Sequence, residues 1–219
     1  MTVQMKNCPF AIFDMDGTLL DSMEKWKNLG RDYLLSLGIQ PPDGVDEKVA
    51  AMSMREGAEY FRRELGVPGN WEKIVEDLNR MMETAYRRTL LLKPNVREYL
   101  KFLREKGTKM CVLTATPVYL ANLAFERLKI QEYFEFVMDC DMIGYKKTQP
   151  ECYLAAAKRL GGAPEQTVVY EDVDFGLETA KKAGFYTVGI YDETMKLRRA
   201  YLETICDIYV EKYSDLWEK

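Results

Sequence analysis

An apolar, strand-like run, Pro9-Phe-Ala-Ile-Phe13, ends in acid at Asp14-Met-Asp16-Gly-Thr18, and the next strand-like run does not begin until Lys109. From Ser22 to Leu92 the chain shows no strand signal but repeated helical periodicity. Trp26, Leu29, Tyr33, Leu34 and Leu37 recur on one face, with Gly38 as a stop. Ser53-x-x-Glu56 reads as a capping box ahead of Met54, Ala58, Phe61 and Leu65, closed by Gly66. Ile74, Leu78, Met81, Met82 and Ala85 give a third helix. From Pro94 the pattern alternates. A helix over Val96–Lys106 precedes strands at Lys109–Leu113, Phe134–Met138, Thr167–Tyr170 and Tyr186–Ile190, with a last run at Ile208–Val210. Helices at Pro117–Leu128, Pro150–Leu160 and Phe175–Ala183 lie between them. Alternation with short loops calls for a parallel sheet covered on both faces. The expected fold is therefore α/β: a Rossmann-like parallel sheet from residues 1-18 and 93-219, with an α-helical module, 19-92, inserted after the first strand.

Composition narrows the chemistry. The chain of 219 residues contains no His, which removes Ser-His-Asp and Cys-His catalysis and His-ligated zinc together. Catalysis must then use carboxylates, Lys, hydroxyls or a metal held by oxygen. A net charge of −4 argues against a nucleic-acid partner. No stretch of 18 apolar residues offers a membrane span, and Met1 to Pro9 lacks the apolar centre of a signal peptide. Five widely spaced cysteines (8, 111, 140, 152, 206) without C-x-x-C read as reduced thiols, with Cys111 and Cys152 as small core fillers. A cytoplasmic protein, monomeric or weakly homo-oligomeric, is expected.

Ligands of open parallel sheets bind beyond the carboxyl ends of the strands. There the sequence places Asp14 and Asp16, then Thr114, then Glu171 and Asp172, with Lys147 in the loop after the strand ending near Met138. Hard oxygen ligands of this kind suit Mg²⁺. Each piece alone has a plainer reading. Asp16-Gly17 is a turn signal, Thr116-Pro117 an N-cap with proline at the first helical position, Lys146-Lys147 a solvated pair, and Asp174 the N-cap of a helix starting at Phe175.

Taken in order, these residues carry a resemblance. Asp14-Met-Asp-Gly-Thr-Leu-Leu-Asp-Ser22 resembles the first motif of the haloacid dehalogenase superfamily of phosphotransferases, D-x-D-G-T-L-x-D-S. Val112-Leu-Thr114 is similar to its second motif, and Lys147-Thr-Gln-Pro-Glu151 to its third, with Thr148 replacing a proline. Val169-Tyr-Glu-Asp172, with Gly176 and Lys181-Lys-Ala-Gly184, resembles the fourth. The helical insert is similar to the cap of the phosphoglucomutase-like and phosphonatase-like branch. The resemblance implies Asp14 as nucleophile, forming an aspartyl-phosphate, and Asp16 as the acid and base. It implies Mg²⁺ held by Asp14, the backbone carbonyl of Asp16 and Asp172, with Glu171 supporting a metal-bound water. Thr114, the amide of Ala115 and Lys147 would hold phosphate near the helix starting at Pro117. The cap would close over the site and choose the substrate, with Lys48, Arg55 and Tyr60 as candidates on it.

The function so implied is a Mg-dependent phosphatase acting on a small phosphomonoester, a sugar phosphate or similar metabolite. Dehalogenases and phosphonatases lack the second acid that this chain keeps as Asp16. A β-phosphoglucomutase-like mutase is the alternative, but Trp26 stands where that branch carries a His, and Ala50-Ala-Met-Ser-Met-Arg55 lacks its glycine and arginine spacing. A retired scaffold used for binding predicts a broken catalytic position, and a response-regulator receiver would be shorter and lack the insert. Nucleotide-binding glycine motifs are missing.

Overall fold

Phe10–Phe13 (β1) carries four apolar residues, the last three buried, as the central strand of a sheet covered on both faces requires. The computed structural model describes residues 8–50 and 52–217. Most of the stretch read against a signal peptide, and Ala51 of the loop compared with the mutases, lie outside the described residues. After β1 come β2 (Leu20–Asp21), then α1 (Met23–Lys27), α2 (Leu29–Ser36), α3 (Val45–Ala50), α4 (Met54–Glu64), α5 (Trp71–Arg88) and β3 (Leu91–Leu92). The alternating half runs α6 (Val96–Glu105), β4 (Lys109–Thr114), α7 (Val118–Leu128), β5 (Phe136–Asp139), α8 (Cys140–Ile143) and α9 (Pro150–Leu160). It ends with β6 (Thr167–Glu171), α10 (Asp174–Lys182), β7 (Tyr186–Ile190), α11 (Arg199–Ile205) and β8 (Ile208–Val210).

The six-stranded sheet has the order β5-β4-β1-β6-β7-β8, every pair parallel. Parallel neighbours need crossovers, and the helices between the strands supply them. Side chains alternate along each strand. Ile12, Cys111, Leu113 and Val169 accordingly pack with Cys152, Tyr153, Ala156, Ala157 and Leu160 of α9. On the other face Phe13 stacks on Tyr170 at 4.2 Å, and the Tyr170 and Tyr99 hydroxyls meet at 2.7 Å. Tyr99 belongs to α6 and also stacks on Trp217.

The chain divides into two compact units, one made of Met1–Ser22 with Leu90–Lys219, the other of Met23–Thr89. The expected junctions at 18/19 and 92/93 differ because Leu20–Asp21 pairs antiparallel with Leu91–Leu92, a two-residue ribbon that carries no periodicity to read. The ribbon also corrects the reading of Ser22–Leu92 as free of strand. Within the helical unit, the run expected from Trp26 to Leu37 is two helices broken at Asn28. The capping box forms as expected. Glu56 N–H donates to Ser53 Oγ at 3.3 Å, and Ser53 N–H donates to Glu56 Oε2 at 2.8 Å. Asn70 caps α5, accepting from Lys73 N at 2.9 Å. Among the described residues, no helix is long and apolar enough to cross a membrane.

Three boundary readings are corrected. The strand expected at Phe134 starts at Phe136, because a 3-10 turn over Gln131–Tyr133 takes the preceding residues. Asp174 is the first residue of α10 rather than its N-cap; its carboxylate accepts from Phe175 N at 2.7 Å and pairs with Arg198. Pro117, not Thr116, caps α7. That frees the Thr116 hydroxyl for the site.

Candidate active site

Register decides which side chains meet. Phe13 is level with Val112 on one side and with Tyr170 on the other, so the residues after them share one rim. Asp14 continues into that rim with its backbone N–H on the Tyr170 carbonyl at 2.9 Å. By alternation Asp14 falls on the face of Ile12, and Glu171 on that of Val169, both toward α9. Gly17 follows in a positive-φ conformation (φ 83°) that side chains rarely adopt, turning the chain back so that Leu20 N–H reaches the Met15 carbonyl at 2.8 Å.

Lys147 is the hub. Its ammonium donates to Asp14 Oδ1 and, at 2.5 Å, to Glu171 Oε1, with all three groups buried. The surface-pair reading of Lys146-Lys147 therefore holds for Lys146 only: Lys147 is 6% exposed. Burial alone would lower its pKa, but Asp14 and Glu171 outweigh that and hold it above the ordinary lysine range. Tyr153 O–H donates to the same Glu171 Oε1 at 2.9 Å. Thr18 Oγ1 donates to Asp172 Oδ1 at 3.2 Å. Gly176 makes room for Glu171, since a Cβ there would stand 2.7 Å from the carboxylate carbon.

Three buried carboxyl groups, Asp14, Glu171 and Asp172, bring one oxygen each within 4.8 Å of one another. Burial pushes the Glu171 carboxyl up to about 7, with Lys147 pulling against it and Asp14 adding to it. Burial, then the charges of Asp14 and Glu171, raise Asp172 well above the usual carboxylate range. Glu171 Oε2 and Asp172 Oδ2 are buried and accept no hydrogen bond. Three acids facing one ammonium, with two orphaned oxygens, are what a divalent cation with hard oxygen ligands would satisfy. The donor set thus fits Mg²⁺. Glu171 stands beside Asp14 and Asp172 in this group, within reach of the metal-bound water expected of it. The Asp16 carboxylate is engaged elsewhere, leaving its backbone carbonyl for the role expected of it.

Both Asp16 oxygens are held. Ser22 Oγ donates to Oδ1 at 2.6 Å and Thr116 Oγ1 to Oδ2 at 2.7 Å. Thr114, buried at the end of β4, accepts from Thr116 N–H at 3.0 Å, and Ala115 stands exposed between them. The first amide of α7, Val118 N–H, already donates to Asp139 at 2.9 Å. Thr116, Ser22, Thr18 and Tyr153 were not among the expected site residues. Thr18 and Ser22 sit inside the first motif. Nothing near Tyr153 in sequence signals that it meets Glu171. In the helical unit the substrate candidates face rings: Lys48 lies 4.0 Å over Tyr60, and Arg55 lies 4.6 Å over Trp71. Trp26 donates to Tyr86 OH at 3.1 Å.

A sequence profile for haloacid dehalogenase-like hydrolases matches residues 10–184, which contain every residue of this site. The chain belongs to that family. It is 31% identical to the phosphorylated carbohydrates phosphatase of Thermotoga maritima over 174 residues, 80% of this chain and 81% of that one. It is 28% identical to hexitol phosphatase B of Escherichia coli over 79% of each chain. Among solved structures, a Thermotoga maritima protein carrying a provisional beta-phosphoglucomutase description superposes with a TM-score of 0.79, at 29% identity, covering 92% of this chain and 93% of that one.

Proposed function

We propose that this phosphoric monoester hydrolase removes phosphate from a small phosphorylated carbohydrate, with Mg²⁺ bound and Asp14 as the nucleophile. The observation that supports it is the contact of buried Lys147 with Asp14 and Glu171, on a rim where Asp172 completes a metal-sized acidic group. Bound by Asp14, the Asp16 carbonyl and Asp172, Mg²⁺ would offset the negative charge of the phosphate that Asp14 must approach. The reaction of the chain's own groups follows. Lys147, Thr114 and the Ala115 amide bind the phosphate oxygens. Asp14 forms a bond to phosphorus as the bond to the sugar oxygen breaks, and Asp16 gives that oxygen a proton. Asp16, now ionised, takes a proton from water, which attacks phosphorus and releases Asp14. Ser22 and Thr116 hold Asp16 for both transfers.

The relatives support a carbohydrate phosphate, since two of them are named for phosphorylated carbohydrates and hexitols. The likeness to the beta-phosphoglucomutase structure supports a second reading, transfer to another sugar hydroxyl. A panel of sugar phosphates separates the two. Stoichiometric free phosphate from each accepted substrate is expected, abolished by a chelator and by Asp14→Asn. Isomerised sugar phosphate with almost no free phosphate would instead identify the mutase.

A further inference from the structure

Two thiols meet beside the acidic group and share its lysine. Cys140 opens α8, Cys152 lies in the first turn of α9, and their sulfurs are 3.8 Å apart. Cys152 is buried, while Cys140 is partly exposed. One sulfur also holds the chain between them. The Cys152 thiol donates to the Tyr145 carbonyl at 3.5 Å, and the charge of Lys147 favours the Cys140 thiolate. The segment so held carries the ammonium that binds Asp14 and Glu171. Cys152 and Cys111 are both wholly buried in the core, as read from the sequence, and Cys152 makes the contact with Cys140 besides.

We infer that Cys140 and Cys152 form an oxidisable dithiol, and that a hydroperoxide converts it to a disulfide that loosens the Lys147 segment and slows turnover. The two sulfurs are suited to different halves of the reaction. The contact with Cys152, against the upward push of burial and with help from Lys147, brings Cys140 down to about 7. The same contact and burial raise Cys152. Burial raises Cys8, Cys111 and Cys206 as well, so Cys140 is the reactive thiol of the five. The Cys140 thiolate attacks one peroxide oxygen. The O–O bond breaks, hydroxide leaves and takes up a proton, and Cys140 becomes a sulfenic acid. The Cys152 sulfur then attacks the Cys140 sulfur, the S–O bond breaks, and the oxygen departs as water with the Cys152 proton. Two thiols and one hydrogen peroxide give one disulfide and two waters. A disulfide of about 2.05 Å draws the sulfurs together by nearly 2 Å and removes the Cys152 thiol contact to the Tyr145 carbonyl.

The test uses the full chain, hydrogen peroxide, alkylation of remaining thiols with peptide mapping, and turnover of p-nitrophenyl phosphate. The expected result is a Cys140–Cys152 link with the other three cysteines still alkylated. Turnover should fall by at least about tenfold, as when one phosphate-stabilising donor is lost, and recover with dithiothreitol. Cys140→Ser, or Cys152→Ala should the first fold poorly, should form no link. Peroxide consumed without that link, or a linked protein turning over like the reduced one, overturns the proposal. Its activity arm rests on the proposed role of Lys147, so Lys147→Ala is assayed beside it. If that variant turns over normally, the reading of the site has failed, and the mapped link alone decides the dithiol.

Discussion

An aspartate acts as acid and base only while its oxygens are held at the reacting atoms, and Asp16 is held from two sides, by Ser22 and Thr116. Losing a hydrogen bond to a charged group costs about 1.5–3 kcal/mol, so Thr116→Val should lower kcat roughly 10- to 100-fold. KM should change little, and Thr116→Ser should restore the rate. Asp16→Asn should cost about 10²–10⁴-fold, the scale for a positioned proton donor. Its penalty should shrink for aryl phosphates, whose leaving group needs no proton; equal losses on alkyl and aryl esters would contradict the role of acid. The acids and the lysine at the strand ends were legible in the sequence because motif spacing and strand ends coincide there. Thr116 was not: Thr-Pro before a helix is a capping signal, whereas the chain bends at Ala115 and Thr116 and the hydroxyl donates to Asp16. Tyr153 was hidden for a different reason, since helical periodicity marks it as buried without saying that its hydroxyl meets Glu171.

Elements position these residues through a few close approaches. At Gly176 in α10, a methyl group would press on Glu171, and overpacking of this kind costs about 1–3 kcal/mol. Gly176→Ala should therefore weaken Mg²⁺ binding, read by titration calorimetry, more than it lowers thermal stability. Between β7 and β8, Asp207 accepts from Thr187 N–H at 2.8 Å and Thr187 O–H at 2.9 Å, and pairs with Lys181 at 3.0 Å. Partial burial raises its pKa, but the Thr187 bonds and Lys181 outweigh it, and the folded value lies below the ordinary carboxylate. A depressed folded pKa gives stability that is present above the unfolded value, about 3.9, and lost as pH falls through the folded one. Asp207→Asn should be the less stable protein at neutral pH, with the gap in denaturation midpoint closing in acid. A gap that persists at low pH would assign the effect to packing. The long elements were readable because apolar alternation and 3.6-residue periodicity persist over several turns. The β2–β3 ribbon and α8 were not, since two to four residues carry no period, and α8 begins only because Asp139 accepts from Met142 N–H at 2.8 Å.

Over the whole molecule, the parallel order β5-β4-β1-β6-β7-β8 makes one rim of residues far apart in sequence, and that rim is overcharged without a cation. A ligand that binds the folded form at a hundredfold excess over its Kd stabilises it by about 2.7 kcal/mol. For a chain of this size that is roughly 5–10 °C in Tm. Mg²⁺ should give such a shift in the absence of substrate, and Asp172→Ala should remove it; the same shift in the variant would place the cation elsewhere. The split architecture was legible because the first strand stands apart from the others in sequence, whereas the junctions depended on the short ribbon. The central claim, that Asp14 carries the phosphoryl group, is tested most directly by quenching the enzyme during turnover, reducing acyl phosphates with borohydride and mapping the peptides by mass spectrometry. The account predicts homoserine at position 14, dependent on substrate and on Mg²⁺. Steady turnover with Asp14 unmodified, or with the label on another carboxylate, would contradict it.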